Sequence, residues 1–297
     1  MKICLASDIH LEFGALEAPM PEGEVLILAG DITLIGTLDP EDDLFDPGAV
    51  VRERTFDFLE QCRHAFERIF YLIGNHEPYH YDLTRTPNII RRWLSGVELL
   101  DNRAVALTDD VILVGGTLWT DMNKGRDAIP VGNVMNDFRI IRIADEEDPQ
   151  GGQTRLFRPR DAMAMFEKTK RCIAETARAN PDKTIVVATH HAPSVQGLNV
   201  EHTRASAPSI HAAYYTDLHA FIEALPNIKW WVHGHTHLQK AYRIGQCHVL
   251  SNARGYIGHE PCADAFDPDC WFDPVTGDSK EPAARAPGPH PWGEQTR

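Results

Sequence analysis

The sequence predicts an α/β protein, and three observations carry that expectation. Short apolar runs of strand length alternate with stretches of helical periodicity; among them are Lys2–Ser7, Val25–Ala29, Ile69–Ile73, Thr184–Thr189 and Trp230–Val232. Each run stops at polar side chains able to bind a metal, and in α/β sheets ligand sites gather outside the carboxyl ends of the strands. The 297 residues are 43% hydrophobic, enough for one large core or two small ones. No internal repeat or clear linker divides the chain. One domain is therefore expected over residues 1–260, followed by a tail over 261–297.

In chain order, the run Lys2–Ser7 ends in Asp8-Ile9-His10, two metal-capable side chains two apart; a loop Asp and a loop His are the plain alternative. Val25–Ala29 ends at Gly30-Asp31, a junction common in α/β proteins. Residues 33–50 hold Pro40, Pro47 and an acidic run from Asp39 to Asp46, which reads as an exposed loop. Val51–Arg68 places Phe56, Leu59, Arg63 and Phe66 at spacings of three or four, an amphipathic helix whose aromatic stripe belongs to the core. Ile69–Ile73 ends in Gly74-Asn75-His76-Glu77, where the alternative is a turn with Asn75 in the left-handed region. A short helix over Asn88–Leu94 precedes strands at Val97–Leu100, Ala104–Leu107 and Val111–Val114. From Gly115 to Pro159 the chain reads as one long irregular stretch, either a cap over the site or a solvated excursion; it includes Trp119, Asn136-Asp137-Phe138-Arg139 and the acidic run Asp145–Asp148.

Asp161 is expected to cap a helix running to Ala179. Thr184–Thr189 ends in His190-His191. Residues 194–215 are loop-like and hold His202, His211, Tyr214 and Tyr215, and Thr216 is expected to cap a helix to Leu225. Trp230–Val232 runs into Gly234-His235-Thr236-His237. Side chains two apart on an extended backbone point the same way, so a persisting strand would aim both histidines at one point, with Gly234 permitting close approach. A pair of surface histidines in a turn is the alternative. Strands Gln239–Ile244 and His248–Ser251 lead to Asn252-Ala253-Arg254-Gly255-Tyr256. From Pro261 on, seven prolines and three glycines in 37 residues read as a tail on the surface or partly disordered.

The net charge of −14 argues against a general nucleic-acid or membrane-surface binder, whose affinity would rest on basic patches. It is compatible with an anionic substrate, because bound metals reverse the sign locally. Six cysteines form no C-x-x-C pair, so a zinc ribbon is not expected. Cys262 and Cys270 could bridge, but a reduced, cytoplasmic chain is the simpler reading. No apolar run reaches the ~18 residues of a membrane span. The N-terminal apolar stretch stops at Ser7-Asp8, too soon for a signal peptide.

Five strand ends thus supply Asp8/His10, Asp31, Asn75/His76, His190 and His235/His237. This order of D-x-H, G-D, G-N-H-[DE], a strand-end His and G-H-x-H resembles the calcineurin-like metallophosphoesterase superfamily, over residues 8–237. TLWTD, THHAPS and HGHTH also look like a bacterial branch of phosphohydrolases. The resemblance implies a four-layer αββα sandwich of two mixed sheets flanked by helices. It implies that Asp8, His10, Asp31 and His237 bind one metal and that Asp31, Asn75, His190 and His235 bind the other. Two divalent ions about 3.5–4 Å apart would clamp a phosphate while a metal-bound hydroxide attacks phosphorus. Manganese is expected first, with Fe, Zn, Ni or Co suiting the same N/O donors. His76 is implied as the non-ligand catalytic residue that assists the leaving alcohol. His191 reads as a group behind the ligands or a structural histidine. Arg254 suits phosphate oxygens and is carried as a substrate-binding candidate, beside the reading as a surface arginine; Trp119 and Arg139 are weaker candidates. Some members carry an acidic residue three positions after the G-D aspartate to orient the catalytic histidine. Here that position is Leu34, so the orienting group must come from elsewhere. The expected activity is hydrolysis of phosphate esters. Alternatives are a phosphodiesterase acting on cyclic nucleotides or nucleic-acid ends, and a protein-binding scaffold that has lost catalysis. No stable nucleic-acid partner and no membrane partner are expected.

Overall fold

The computed structural model describes residues 1–39, 48–148, 152–199, 208–261 and 263–282. In one sheet β1 (Ile3–Ala6), β2 (Gly23–Leu28), β3 (Phe66–Tyr71) and β4 (Glu98–Leu99) run parallel. A hairpin of β5 (Arg103–Ala106) and β6 (Val111–Gly116) opens the second sheet. The strands β7 (Arg142–Ala144) and β8 (Thr154–Leu156) pair separately. The second sheet continues through β9 (Thr184–Thr189), β10 (Ile228–His233), β11 (Gln239–Ile244) and β12 (Cys247–Asn252), in the order β11-β12-β10-β9-β6-β5. Its inner strands β6, β9, β10 and β12 are parallel and its edges antiparallel.

Period-two alternation splits the core into two. Ile3, Leu5, Val25, Ile27 and Phe70 meet Leu113, Val186, Val232 and Leu250 between the sheets. Cys4, Ala6, Leu26, Ile69 and Trp231 face the helical sides. There they meet Phe58 and Leu59 of α1 (Ala49–Ala65), Ile89 and Ile90 of α2 (Thr86–Trp93) and, beyond α3 (Ala128–Val134) and α4 (Asp137–Ile140), Phe166 and Ile173 of α5 (Pro159–Ala179). The result is the αββα sandwich, and parallel neighbours put the carboxyl ends of β1, β2 and β3 on one rim and those of β6, β9, β10 and β12 on another. A bridge between Ser7 and Ala253 joins the rims. Among the described residues no helix is long and apolar enough to cross a membrane.

Several local expectations are corrected. The helix expected to Arg68 stops at Ala65, because Phe66 and Arg68 pair with Gly23 and Val25 of β2; Phe66 fits a helical stripe and a strand equally, and the sheet decides. The stretch 115–159 is not irregular: it holds α3, α4 and the β7–β8 hairpin, and buries Phe138, Ile141 and Phe157 in the core. Replacing it with a short linker would therefore expose core, so it is not a solvated excursion, and its Asp137 reaches Asn75 at the end of β3. Asp161 is not the cap of α5 but its third residue; its carboxylate accepts from the Arg158 backbone N–H at 2.9 Å and from the Arg155 guanidinium. The helix after Thr216 is only His219–Glu223, and Thr216 instead exchanges hydrogen bonds with Asp121.

The stretch after Pro261 is more than a surface tail. Its strands β13 (Trp271–Phe272) and β14 (Ser279–Lys280) extend the first sheet beyond β1, with Cys270 and Phe272 buried beneath. The apolar pair Cys270/Phe272 overrides the proline content around it. The acidic residues Glu41–Asp46, His202, Cys262 and residues 283–297 lie outside the described residues. The described cysteines Cys4, Cys62, Cys172, Cys247 and Cys270 are free thiols.

Candidate metal centre

The rim residues arrive on a strained backbone. Asp8, His10, Asp31, His235 and His237 all have positive φ, between 49° and 66°. Left-handed non-glycine residues cost on the order of 1 kcal/mol or more each and gather where function demands them. Strand β10 ends at His233, so His235 and His237 do not share an extended backbone and do not face one point. They separate into two groups. His237 joins Asp8 and His10, while His235 joins Asp31 and His190; within each group the ligand atoms lie within 4.8 Å of one another. Gly234 has the role expected of it, since a Cβ there would stand 2.6 Å from Asp8 Oδ2. A Cβ at Gly74 would run into the Asp31 carboxylate.

Asp31 stands between the two groups. Its Oδ2 lies 3.8 Å from His10 Nε2 on one side and 3.2 Å from His190 Nε2 on the other. In the first group, His237 Nε2 is 3.1 Å from His10 Nε2 and 3.5 Å from Asp8 Oδ1. In the second, Asn75 Oδ1 lies 3.0 Å from His190 Nε2. Of His190 and His191, it is His190 whose Nε2 faces Asp31 and Asn75. His191 packs behind it, its ring 4.2 Å from that of His235 and its Nδ1 donating to the Thr117 carbonyl.

A second layer fixes each of these groups. Glu12 Oε1 accepts from His10 Nδ1 at 2.9 Å and from His76 Nδ1 at 3.2 Å. Glu260 Oε2 accepts from His237 Nδ1 at 2.8 Å, and the Ala29 carbonyl from His190 Nδ1 at 2.8 Å. The Asn75 amide nitrogen donates to Asp137 Oδ1 at 3.0 Å, which turns its carbonyl oxygen inward. Asp8 accepts the His235 backbone N–H. Buried Glu77 accepts from the backbone N–H groups of Asp31, Ile32 and Gly74 and from the Tyr71 hydroxyl, tying the β2 and β3 ends together. Burial and Asp31 push its carboxyl up to about 7, against the pull of those donors, which bond more strongly to the ionised form.

The donor set fits divalent cations. A carboxylate or carbonyl acceptor on each Nδ1 makes that nitrogen the donor, so the lone pairs lie on Nε2. His10 and His237 then face each other lone pair to lone pair at 3.1 Å, and His190 faces the Asn75 carbonyl oxygen in the same way at 3.0 Å. Such contacts are repulsive unless a cation or a proton lies between. Among the described residues the buried Nε2 of His235 has no hydrogen-bond partner. Burial, His191 and His190 hold that ring well below its usual range, so it stays uncharged. Without a metal, protons fill the gap. Burial opposes this at His190 and His237, but Asp31 raises His190 to about 10, and Glu260 with Asp8 raises His237 to about 9.

Arg254 is corrected. It is 3% exposed, and its guanidinium donates to the carbonyls of Ile9, Gly14 and Ala15 at 3.0, 2.9 and 2.6 Å. It clamps the loop after β1, giving three loop carbonyls a buried donor. Arg254→Ala should cost roughly 2–5 kcal/mol of stability in denaturant unfolding. A raised KM at unchanged stability would restore the substrate role. Trp119 is a core residue packed 4.7 Å from Phe157, and Arg139 is spent on the Asn133 carbonyl.

His76 is flanked by Tyr79, whose ring stacks on it at 4.1 Å, by Glu12 and by Tyr256, whose hydroxyl lies 3.1 Å from its Nε2. The group that orients His76 in place of Leu34 is therefore Glu12. The sequence carried faint signals for some of these partners. Glu12 extends D-x-H to D-x-H-x-E, Glu77 closes the G-N-H block, and Asp137 sits in a polar run noticed without a role. Nothing marked Tyr256 or Glu260.

Comparison with known proteins agrees with this geometry. The family model for calcineurin-like phosphoesterases matches residues 1–239. An uncharacterised protein of Acanthamoeba polyphaga mimivirus is 23% identical over 242 residues, covering 73% of this chain and 77% of its own. The solved structure of a phosphopantetheinyl hydrolase from Mycobacterium tuberculosis has the same fold, with a TM-score of 0.57 at 16% identity over 86% of this chain and 89% of that one.

Proposed function

This chain belongs to the calcineurin-like phosphoesterases and is a phosphoester hydrolase, and from that premise we propose that it works through two divalent metal ions bridged by Asp31. One observation carries the reading: Asp31 Oδ2 lies between His10 Nε2 and His190 Nε2, at 3.8 and 3.2 Å, with a ligand group on either side. Asp8, His10, Asp31 and His237 would hold one ion, and Asp31, Asn75, His190 and His235 the other. Mixed imidazole and oxygen donors admit Mn, Fe, Zn, Ni or Co, and Mn is the ion to try first. Ions bound there would neutralise phosphoryl oxygens and bring the pKa of a water toward neutrality.

The chain's own groups do the rest. Glu12 holds His76 by Nδ1, leaving Nε2 to give a proton to the departing oxygen. Burial works against charge on this ring, but Asp31 and the bond to Glu12 raise it above its ordinary range in the metal-free chain. The Asp31 carboxylate also accepts the His76 backbone N–H at 2.8 Å, so acid and bridge keep a set distance. Both phosphate monoesters and diesters suit this arrangement, and a panel of the two separates them.

Titrating Mn²⁺ into the metal-free chain should reach two ions per chain. It should also release protons, since His190 and His237 must give theirs up to bind. Affinity should therefore rise with pH toward the range of about 9 to 10 set by those two groups. A folded chain that saturates at one ion, or binds none, would sink the dinuclear reading.

A further inference from the structure

Tyr256 stands against the proposed acid, and the mechanism above gives it no role. Besides the 3.1 Å approach of its hydroxyl to His76 Nε2, its ring lies 4.5 Å from the ring of His10 and 4.5 Å from that of His237. The phenol is built into the same frame as the ligands. The Tyr256 backbone N–H donates to Glu260 Oε2 at 3.0 Å, the oxygen that also receives His237 Nδ1. Gly255, at φ 84°, donates its N–H to the Asp8 carbonyl, and a Cβ there would collide with Glu260.

Phe13 continues this wall outward. Its ring is 4.7 Å from that of Tyr256 and 6.0 Å from that of His10, yet the residue is 42% exposed. The Arg254 clamp on Gly14 and Ala15 holds the loop that carries it. Through Tyr256 this exposed aromatic ring adjoins the Nε2 edge of His76.

Glu12 occupies Nδ1 of His76, so only Nε2 can serve the leaving group. The Tyr256 hydroxyl holds that position here, so an oxygen that accepts from Nε2 takes its place and meets the phenol as a neighbour. We propose that Tyr256 and Phe13 form the leaving-group subsite. Tyr256 donates a hydrogen bond to the departing oxygen beside His76, and Phe13 packs against a flat apolar ring on the alcohol. This rests on the reading of His76 as the acid, and it narrows the substrates to phosphate esters of alcohols carrying an aromatic ring near the ester oxygen. In the step, a water oxygen bonds to phosphorus and the P–O bond to the alcohol breaks. The bonding pair passes to the alcohol oxygen, which takes the Nε2 proton of His76. The proton lost by the water passes to solvent, and solvent reprotonates His76. Tyr256 keeps its own proton.

The test uses the metal-loaded full chain and benzyl, ethyl and 4-nitrophenyl esters of the phosphate class it hydrolyses. Tyr256→Phe should lower kcat on the benzyl ester about 10–100-fold, the worth of one hydrogen bond to a developing charge. It should lower kcat far less on the nitrophenyl ester, whose phenolate departs unaided, with metal content unchanged. Phe13→Ala should raise the benzyl KM several-fold relative to the ethyl KM, the loss of one aromatic contact. Equal losses on both esters in Tyr256→Phe, or no loss on either, would overturn the hydroxyl's role. An unchanged benzyl-to-ethyl KM ratio in Phe13→Ala would overturn the aromatic substrate class. His76→Ala separates the two levels. If it fails to discriminate between the esters, the acid assignment falls and takes the subsite with it. If it discriminates and Tyr256→Phe does not, only the subsite falls.

Discussion

Asp31→Asn should bring the metal content of the purified chain from two ions toward none and lower the rate on any ester by on the order of 10³-fold or more, because the acidified water depends on the ions. The substitution is nearly isosteric, so the effect is one of charge and lone pairs. In the carboxylate the oxygen that faces both groups, Oδ2, is anionic, whereas the amide places an NH₂ there when its carbonyl oxygen keeps the His76 backbone N–H. Asp31 is buried between His10 and His190, with His190 pulling its carboxyl well below the usual range against the cost of burial. His237→Ala should chiefly weaken the first group, which it alone joins. The measurement is elemental analysis after dialysis against a fixed free Mn²⁺ concentration, alongside turnover. Two retained ions with a rate within tenfold of the parent would remove Asp31 from the bridge.

His76→Ala should retain both ions and lose about 10²–10⁴-fold on an alkyl ester, the usual contribution of a positioned general acid. On a nitrophenyl ester the loss should be far smaller, because that phenolate needs no proton to depart. The backbone N–H of residue 76 still reaches Asp31 in the variant, so the bridge stays in place. Glu12→Gln should follow the same pattern more weakly, with some loss of metal affinity, since Glu12 holds His10 as well as His76. Equal losses on the two esters with metals intact would point to stabilisation of the phosphoryl oxygens instead. Loss of metal would make His76 a ligand, an outcome with meaning because its ring nitrogen lies within 4.8 Å of ligand atoms of His10 and Asp31.

The sequence by itself determined the α/β class and the blocks of metal-capable residues at the strand ends. Apolar runs of strand length and a helical stripe suffice for α/β, since periodicity is a local property. The metal-binding blocks are also local: a glycine such as Gly74 or Gly234 must stand beside a ligand because no Cβ fits there. What each ligand faces was decided by the tertiary structure. D-x-H and G-H-x-H read as extended pairs, but positive φ at His235 and His237 sends those two rings to different groups. No local pattern distinguishes a buried arginine from a surface one, so Arg254 became a clamp only once the carbonyls of Ile9, Gly14 and Ala15 were in place. The partners of the site join residues far apart in the chain: Glu12 with His76, Asn75 with Asp137, His76 with Tyr256. Phe66 left its helical stripe for β3, and the proline-rich stretch yielded β13, because the open edges of β2 and β1 offered unpaired backbone groups that burial cannot leave unsatisfied. Hydrogen-bond satisfaction and lone-pair opposition act between elements rather than along them. For that reason the chemistry of the ligands was legible in one dimension and their arrangement only in three.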